Sequence, residues 1–241
     1  GAEPVPAAVT LGLPHPPGYP FWTILAHLFT KLIPFGDIAW RVNLMSAFWA
    51  AITVGLLAHM LQRLSLGRAV SCAVALSFAF SREFWEQSVI AEVYTLNAFF
   101  IIACLYLLLE WTETRSAKTL YIFTLLYSLS LANHSTMYLF SPFILLYIFT
   151  SNPPIRKDFR LLGMCLGLFI AGLLVHLYLP IRSRANPAMD WGNPETLQSF
   201  WDVFTRNQYQ GTLTRDRSFG LFFQQTLEFM RYTLWEFTPW I

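Results

Sequence analysis

Residues 93–111 read VYTLNAFFIIACLYLLLEW, an apolar run in which Glu110 is the single charged side chain. A helix needs about 20 mainly apolar residues to cross roughly 30 Å of hydrocarbon, so this run predicts a membrane-spanning helix. Five further apolar segments follow the same composition, three of them short: 39–61, 67–81, 119–133, 136–150 and 161–180. The sequence therefore predicts an all-α fold, a polytopic bundle of about six transmembrane helices over residues 39–180.

The composition agrees with a membrane protein. The 241 residues are 55% hydrophobic and only 12% charged, against about 25% charged residues in an average soluble domain. The net charge of +2 is dispersed and forms no basic stripe, so nucleic acid is not an expected partner. Cys72, Cys104 and Cys165 lie in apolar segments, where they are interpreted as small buried hydrophobic residues rather than as disulfides or metal ligands.

Charge predicts the orientation of the bundle. The connections at 62–68, 112–118 and 151–160 carry seven lysines and arginines against two acids, with a third acid, Glu110, at a helix end beside them. The positive-inside rule places such connections in the cytoplasm. The remaining connections are then extracytoplasmic: 1–38, 82–92, 134–135 and 181–235.

The regions outside the bundle are interpreted from their length and from the prolines and glycines that interrupt them. Residues 20–34 are apolar but too short to span, so an interfacial helix inside the 1–38 outer loop is expected. Residues 181–235 predict a large extracytoplasmic loop, whose stretch 195–209 has helical spacing with Asn193 or Pro194 as its start. Residues 236–241 resemble the start of a further helix that then stops, and both ends of the chain look cut.

Four polar motifs adjoin the predicted spans, and alternate threading brings all four out on the same side. An active site built from several loops would sort in this way, whereas scattered structural residues would not. The motifs are His15-Pro16-Pro17-Gly18-Tyr19-Pro20, Glu92-Val93-Tyr94, Asn133-His134-Ser135 and Tyr178-Leu179-Pro180-Ile181-Arg182-Ser183.

Each motif has a functional and a plainer interpretation. The prolines fix the direction of His15, but they also make a stiff connector. An ionisable Glu92 at membrane depth is more often functional, although an interface residue is equally expected. His134 is either a site residue or incidental to a tight turn. Arg182 and Arg184 suit phosphate oxygens, and they also suit lipid headgroups.

Several function classes are disfavoured by what the sequence lacks. It has no Walker loop, dinucleotide glycine pattern, zinc spacing or catalytic serine elbow, so nucleotide-driven and soluble hydrolase chemistry are not expected. A transporter would predict internal repeats, and no repeat is visible.

An ordered set of motifs carries a family resemblance across nearly the whole chain. To the four motifs above it adds Gly12-Leu13-Pro14, Arg41-Val42-Asn43-Leu44, Asn186-Pro187, Asp190-Trp191-Gly192-Asn193-Pro194 and Arg206-Asn207-Gln208-Tyr209. The series resembles a family of bacterial membrane proteins related to protein O-mannosyltransferases, which have the GT-C glycosyltransferase fold.

The resemblance implies an integral-membrane glycosyltransferase on the extracytoplasmic face of a bacterial inner membrane. A polyprenyl-phosphate carrier would donate a mannose-like sugar, and a Ser or Thr hydroxyl of an exported protein, or a glycan, would accept it. Membrane lipids and other membrane subunits would be its further partners. No cofactor is certain, a divalent metal remains open, and no residue is assigned as a metal ligand.

The resemblance also suggests residues for the site. Glu3 and Glu92 are the catalytic candidates; His15, Arg182 and Arg184 the candidates for donor phosphate; and Tyr19, Tyr94 and His134 the candidates for substrate contact. The family's catalytic aspartate stands three residues before a glutamate that matches Glu3, which places it immediately before Gly1. Because that aspartate is absent from this chain, the alternative is a non-catalytic GT-C-like subunit of a larger membrane complex.

Overall fold

The computed structural model describes residues 3–213 and 218–237. Within these ranges the chain is helical, and its one β-type pairing is an isolated bridge between Leu13 and Asp190. Three helices are long and apolar enough to cross a membrane: Ile38–Arg63, Tyr94–Thr114 and Phe159–Ser183. The predicted all-α polytopic membrane bundle is confirmed.

The helices follow the predicted spans closely. The helices within residues 38–79 and 94–151, together with the continuous segment Phe159–Ser183, match the predicted spans. The elements are α1 (Pro4–Thr10), α2 (Pro20–Leu32), α3 (Ile38–Arg63), α4 (Arg68–Ala79), α5 (Arg82–Ser88), α6 (Tyr94–Thr114), α7 (Ala117–Leu131), α8 (Met137–Ser151), a 3₁₀ turn (Pro153–Lys157), α9 (Phe159–Leu173), a 3₁₀ turn (Leu174–Leu177), α10 (Tyr178–Ser183), α11 (Leu197–Phe204), a 3₁₀ turn (Asn207–Tyr209), α12 (Gln210–Leu213) and α13 (Phe219–Phe237).

Side-chain caps set the first residue of three bundle helices. The Asp37 carboxylate accepts a hydrogen bond from the Trp40 amide at 2.8 Å ahead of α3. Ser116 caps α7 and Asp158 caps α9 in the same way. An N-cap oxygen satisfies one of the amides that the first helical turn leaves without a partner, so these polar residues mark where each apolar run becomes helix.

The basic connections gather at one end of the bundle. Arg63 at the end of α3 forms ion pairs with Glu110 and Glu113 of α6, the second at 2.6 Å. Arg115, just after α6, donates to the Ser151 carbonyl at 2.7 Å, which ties in the end of α8. The starts of α6 and α8 and the ends of α7 and α10 therefore lie at the opposite end.

The short helix α2 lies at that opposite end. Its Phe21 amide donates to the Ala132 carbonyl at 3.2 Å, and its Trp22 indole donates to the Glu92 carbonyl at 3.1 Å. A helix of 13 residues is too short to cross a bilayer, so the helix expected inside residues 20–34 is present, and its interfacial placement stays a prediction.

Three expectations differ from the structure. Residues 4–10 form helix α1, which the proline-rich start concealed. Helix α11 begins after Thr196, not at Asn193 or Pro194, because a reciprocal cap between Thr196 and Ser199 fixes its first turn. Residues 219–237 form α13 where a loop to residue 235 was expected, since glutamines and charges interrupt its apolar pattern; residues 238–241 lie outside the described part of the chain.

The cysteines also differ in part from the expectation. All three are free; Cys104 is buried, Cys165 is partly covered and Cys72 is exposed on the surface of α4. The apolar sequence around Cys72 therefore indicates an outward-facing position on the bundle and not burial inside the protein.

Gly172 sets how closely α9 approaches α7, and this yields a stability prediction. A Cβ there would overlap the Ser128 hydroxyl and lie 2.7 Å from Ser128 Cβ. Gly172→Ala should lower the free energy of unfolding in detergent by roughly 1–3 kcal/mol, the usual cost of overpacking. In the same helix Gly163 has no atom within 4 Å of its Cβ position, so Gly163→Ala should be neutral or stabilising by up to about 1 kcal/mol. Equal stabilities of the two variants would contradict this packing.

Candidate functional site

The proline-rich turn holds His15 and Tyr19 in fixed directions. The Pro16–Pro17 bond is cis, and Gly18 and Tyr19 both have positive φ, at 85° and 41°. A Cβ on Gly18 would lie 2.6 Å from Leu179 Cδ2, so the turn packs directly against α10. The turn expected from the sequence is present.

A chain of hydrogen bonds begins at Glu3 and passes through this turn. Glu3 Oε2 lies 2.8 Å from His15 Nδ1 and 3.3 Å from the His15 amide. On its other side, His15 Nε2 lies 3.1 Å from the Tyr19 hydroxyl, which also accepts from Arg206 Nη2 at 3.4 Å. The carboxylate requires a proton on Nδ1. In the neutral ring, Nε2 then accepts from the Tyr19 hydroxyl, and every hydrogen bond of the series points toward Glu3.

Aromatic rings from four chain segments surround this hydrogen-bond chain. The Tyr19 ring is stacked on His134, with centroids 6.1 Å apart and an angle of 6°. The Tyr94 ring is tilted against His134 with centroids 5.6 Å apart, and Trp191 meets His15 edge-on at 6.3 Å. Three of the four sequence motifs therefore contribute side chains to one polar cluster, which we define as Glu3, His15, Tyr19, Tyr94, His134, Trp191 and Arg206.

His134 is held in one orientation by its neighbours. Its Nδ1 lies 2.9 Å from Thr136 Oγ1 and accepts from the Thr136 amide at 3.3 Å, and Asn97 donates to that hydroxyl at 3.1 Å. Since Nδ1 accepts, the ring proton is on Nε2. His134 is only 9% exposed; burial, with the positive charge of Arg206 second, lowers its pKa to about 4.

Tyr19 is likewise neutral at ordinary pH. Burial raises its pKa to about 12, the nearby Arg206 opposes that rise, and the charge of Glu92 adds to it. The cluster thus presents two neutral rings beside a permanent cation.

The fourth motif supports the cluster from outside. The Leu13 amide donates to the Met189 carbonyl at 2.7 Å, and the Trp191 amide donates to the Leu13 carbonyl at 3.1 Å. Ser183 at the end of α10 lies 2.8 Å from the Asp190 carboxylate. These bonds dock the loop after α10 onto the start of the chain and place Trp191 beside His15.

Arg182 and Arg184 lie outside the cluster. Arg182 donates from Nε to the Leu11 carbonyl at 2.9 Å and from Nη2 to the Thr10 carbonyl at 3.0 Å. It therefore caps the last carbonyls of α1, which the helix itself leaves without partners. Arg184 is exposed and donates to the Glu195 carbonyl at 3.4 Å. The structure gives both arginines contacts other than the phosphate contact predicted from the sequence.

Glu92 lies next to the cluster, where its main-chain carbonyl accepts from Trp22 and, at 3.5 Å, from Ser46. Arg206 and Trp191 are the site residues that sequence reasoning missed. Both stand in motifs that carry the family resemblance, but no local pattern links Arg206 to Tyr19, its partner 187 positions away. Among residues 3–213 and 218–237, no group of three or more His, Cys, Asp or Glu side chains could hold a metal ion.

A cavity of about 700 Å³ adjoins the cluster. Tyr94 lines it and also contacts His134, so the cavity meets the cluster at that ring. Its walls are mainly apolar side chains of α4, α5 and α13, with two carboxylates among them: Phe78, Phe84, Phe229, Tyr232, Glu83 and Glu236. The cavity is large enough for several sugar units or several residues of a peptide to approach the cluster.

The fold and the cluster define a polytopic membrane protein with a polar, aromatic-walled site at one end of its helical bundle. The model of the family described as Protein O-mannosyl-transferase TMEM260 N-terminal domain matches residues 1–156, and the chain belongs to this family.

Two curated relatives carry the same family name. Protein O-mannosyl-transferase TMEM260 of Mus musculus is 37% identical over 224 residues, covering 90% of this chain and 31% of the relative. Protein O-mannosyl-transferase tmem260 of Dictyostelium discoideum is 28% identical over 233 residues, covering 88% of this chain and 28% of the relative. The chain thus spans about a third of the length of these relatives. No solved structure matches it.

Proposed function

We propose that this chain carries the catalytic site of a membrane glycosyltransferase, which moves a mannose-like sugar from a polyprenyl-phosphate donor to a hydroxyl group. The observation that carries the proposal is the oriented hydrogen-bond chain from Glu3 through His15 to Tyr19. A histidine whose Nδ1 proton is held by a carboxylate has a basic Nε2 and a fixed ring, the arrangement required of a general base.

The reaction is a single displacement at the anomeric carbon of the donor sugar. The acceptor oxygen forms the new bond to that carbon as the bond to the lipid phosphate breaks. His15 Nε2 takes the proton of the acceptor hydroxyl in place of the hydrogen bond from Tyr19, and Glu3 stabilises the resulting imidazolium. Glu3 then acts through His15 and not as the base itself.

The cavity beside Tyr94 supplies the approach for the acceptor. Tyr94 lines the cavity and contacts His134, whose Nε2 proton would orient a sugar or acceptor hydroxyl. The name of the two relatives supports mannose as the sugar and a protein Ser or Thr as the acceptor; a glycan acceptor is the other possibility. The helices that can cross a membrane support a lipid-linked donor and further lipid or subunit partners.

The sidedness and the membrane of residence stay predictions. The basic connections at the far end of the bundle support an extracytoplasmic cluster by the positive-inside rule. The bacterial inner membrane rests on the sequence resemblance alone, since the two relatives come from mouse and Dictyostelium.

Sugar transfer in membranes tests the proposal. Membranes containing the full chain, and matched membranes without it, are given polyprenyl-phosphate mannose and a Ser/Thr-rich acceptor peptide, with polyprenyl-phosphate glucose as the competing donor. We expect mannosylated peptide only with the chain and with the mannose donor. If correctly folded protein transfers no more mannose than the membranes without the chain, the chain is not the transferase. Its role would then be that of a non-catalytic GT-C-like subunit.

A further inference from the structure

Arg206 enters the polar cluster from a strained backbone position. It has φ 57° and ψ 37°, in the left-handed region, immediately before the 3₁₀ turn at Asn207–Tyr209. Residues other than glycine adopt this conformation at a cost, and it concentrates at functional sites. Here the strained backbone directs the guanidinium back across the fold to the Tyr19 hydroxyl at 3.4 Å.

The guanidinium of Arg206 is incompletely paired. Its Nε is buried and has no hydrogen-bond partner, and within the described ranges no carboxylate forms an ion pair with it. A buried donor or charge without a partner is costly unless a ligand completes it. By contrast, Arg182 donates to two carbonyls.

Within the polar cluster, Tyr19 and His134 are neutral side chains, and the Glu3 carboxylate is engaged by His15. Outside the cluster, the charge of Glu92 also acts on Tyr19. The unpartnered Nε–H lies on the same edge of the guanidinium as one Nη2–H. Two parallel donors on one edge match two oxygens of a phosphate, the bidentate geometry for which arginine is suited and lysine is not.

We propose that Arg206 is the residue that binds the phosphate of a lipid-linked donor in this cluster, the role for which Arg182 and Arg184 were the sequence candidates. The inference deepens the proposed function and rests on it for the identity of the donor. Binding of the phosphate edge-on by Nε and Nη2 keeps the leaving group beside Tyr19 and His15, and the cation stabilises the negative charge that develops there when the sugar leaves.

Binding of farnesyl phosphate, with farnesol as the uncharged analogue, tests this assignment without requiring transfer activity. The purified full chain in lipid nanodiscs should bind farnesyl phosphate at least tenfold more tightly than farnesol, and inorganic phosphate at the same concentration should not bind. Arg206→Gln should lose at least tenfold in affinity for farnesyl phosphate and none for farnesol. The affinity of Arg206→Lys for farnesyl phosphate should lie between those of the wild type and Arg206→Gln, because an ammonium keeps the charge but cannot make the paired contact.

Two controls separate ligand binding from folding. Arg184→Gln removes an exposed arginine of the same region and should bind farnesyl phosphate like the wild type. Without ligand, Arg206→Gln should melt no lower than the wild type, since the buried cation lacks a full set of partners; a structural arginine would lower the melting temperature instead.

The outcomes distinguish this inference from the proposed function. Equal binding of farnesyl phosphate and farnesol by the wild type, or wild-type phosphate affinity in Arg206→Gln, would overturn the assignment even if sugar transfer is observed. An Arg206-dependent phosphate preference in a protein that transfers no sugar would uphold the assignment and reject the enzyme.

Discussion

His15→Ala is expected to lower the rate of mannose transfer at least about 100-fold, the lower range for loss of a positioned general base. The substitution removes the Nε2 that takes the acceptor proton and breaks the chain between Glu3 and Tyr19. Initial rates with polyprenyl-phosphate mannose and an acceptor peptide measure the effect, and kcat should fall much more than the donor KM rises, because Arg206 still holds the phosphate.

Two further variants test whether His15 acts as the base. Glu3→Gln preserves the shape of the side chain but removes the charge that stabilises the imidazolium, so it should also lower kcat while binding donor normally. His59→Ala alters an exposed histidine near the far end of α3 and should transfer sugar at the wild-type rate. Folded His15→Ala protein that retains a third or more of the wild-type rate would remove His15 from the mechanism.

The membrane bundle could be predicted from sequence because a helix that crosses hydrocarbon requires a long run of apolar residues, which the sequence shows directly. Each predicted span coincides with a helix to within a few residues, and caps such as Asp37 and Asp158 mark their first turns. Helix α13 escaped prediction because Gln224, Gln225 and Glu228 interrupt its apolar pattern. Where polar and apolar residues mix, hydropathy no longer separates a helix from a loop.

The site could be predicted only up to the motifs that contribute to it. His15, Tyr19, Tyr94 and His134 do meet, as the sorting of motifs onto one side suggested. The roles of the arginines could not be read locally, because they depend on which distant group each one reaches. Arg182 reaches the end of α1, a helix the sequence did not predict, while Arg206 reaches Tyr19 through a left-handed backbone position.

Acid should destabilise the fold through His134. Its pKa in the folded protein is about 4, below the ordinary 6.5. Between these values the unfolded chain binds a proton that the folded chain excludes, so the stability contributed by neutral His134 is complete above pH 6.5 and is lost as the pH falls to 4. At 1.36 kcal/mol per pKa unit the loss is at most about 3 kcal/mol.

The difference between two titrations isolates this contribution from the carboxylates that also protonate in acid. Unfolding free energies of the wild type and of His134→Gln are measured in the same detergent from pH 7.5 to 4.5. Glutamine can keep the hydrogen bond to Thr136 but has no ring nitrogen to protonate, so the wild type should lose stability more steeply below pH 6.5. The exposed His59 supplies the matched control, and His59→Gln should follow the wild-type curve. Parallel curves for the wild type and His134→Gln would mean that the folded protein protonates His134 as readily as the unfolded chain does, and a neutral His134 could then no longer be assumed in the site.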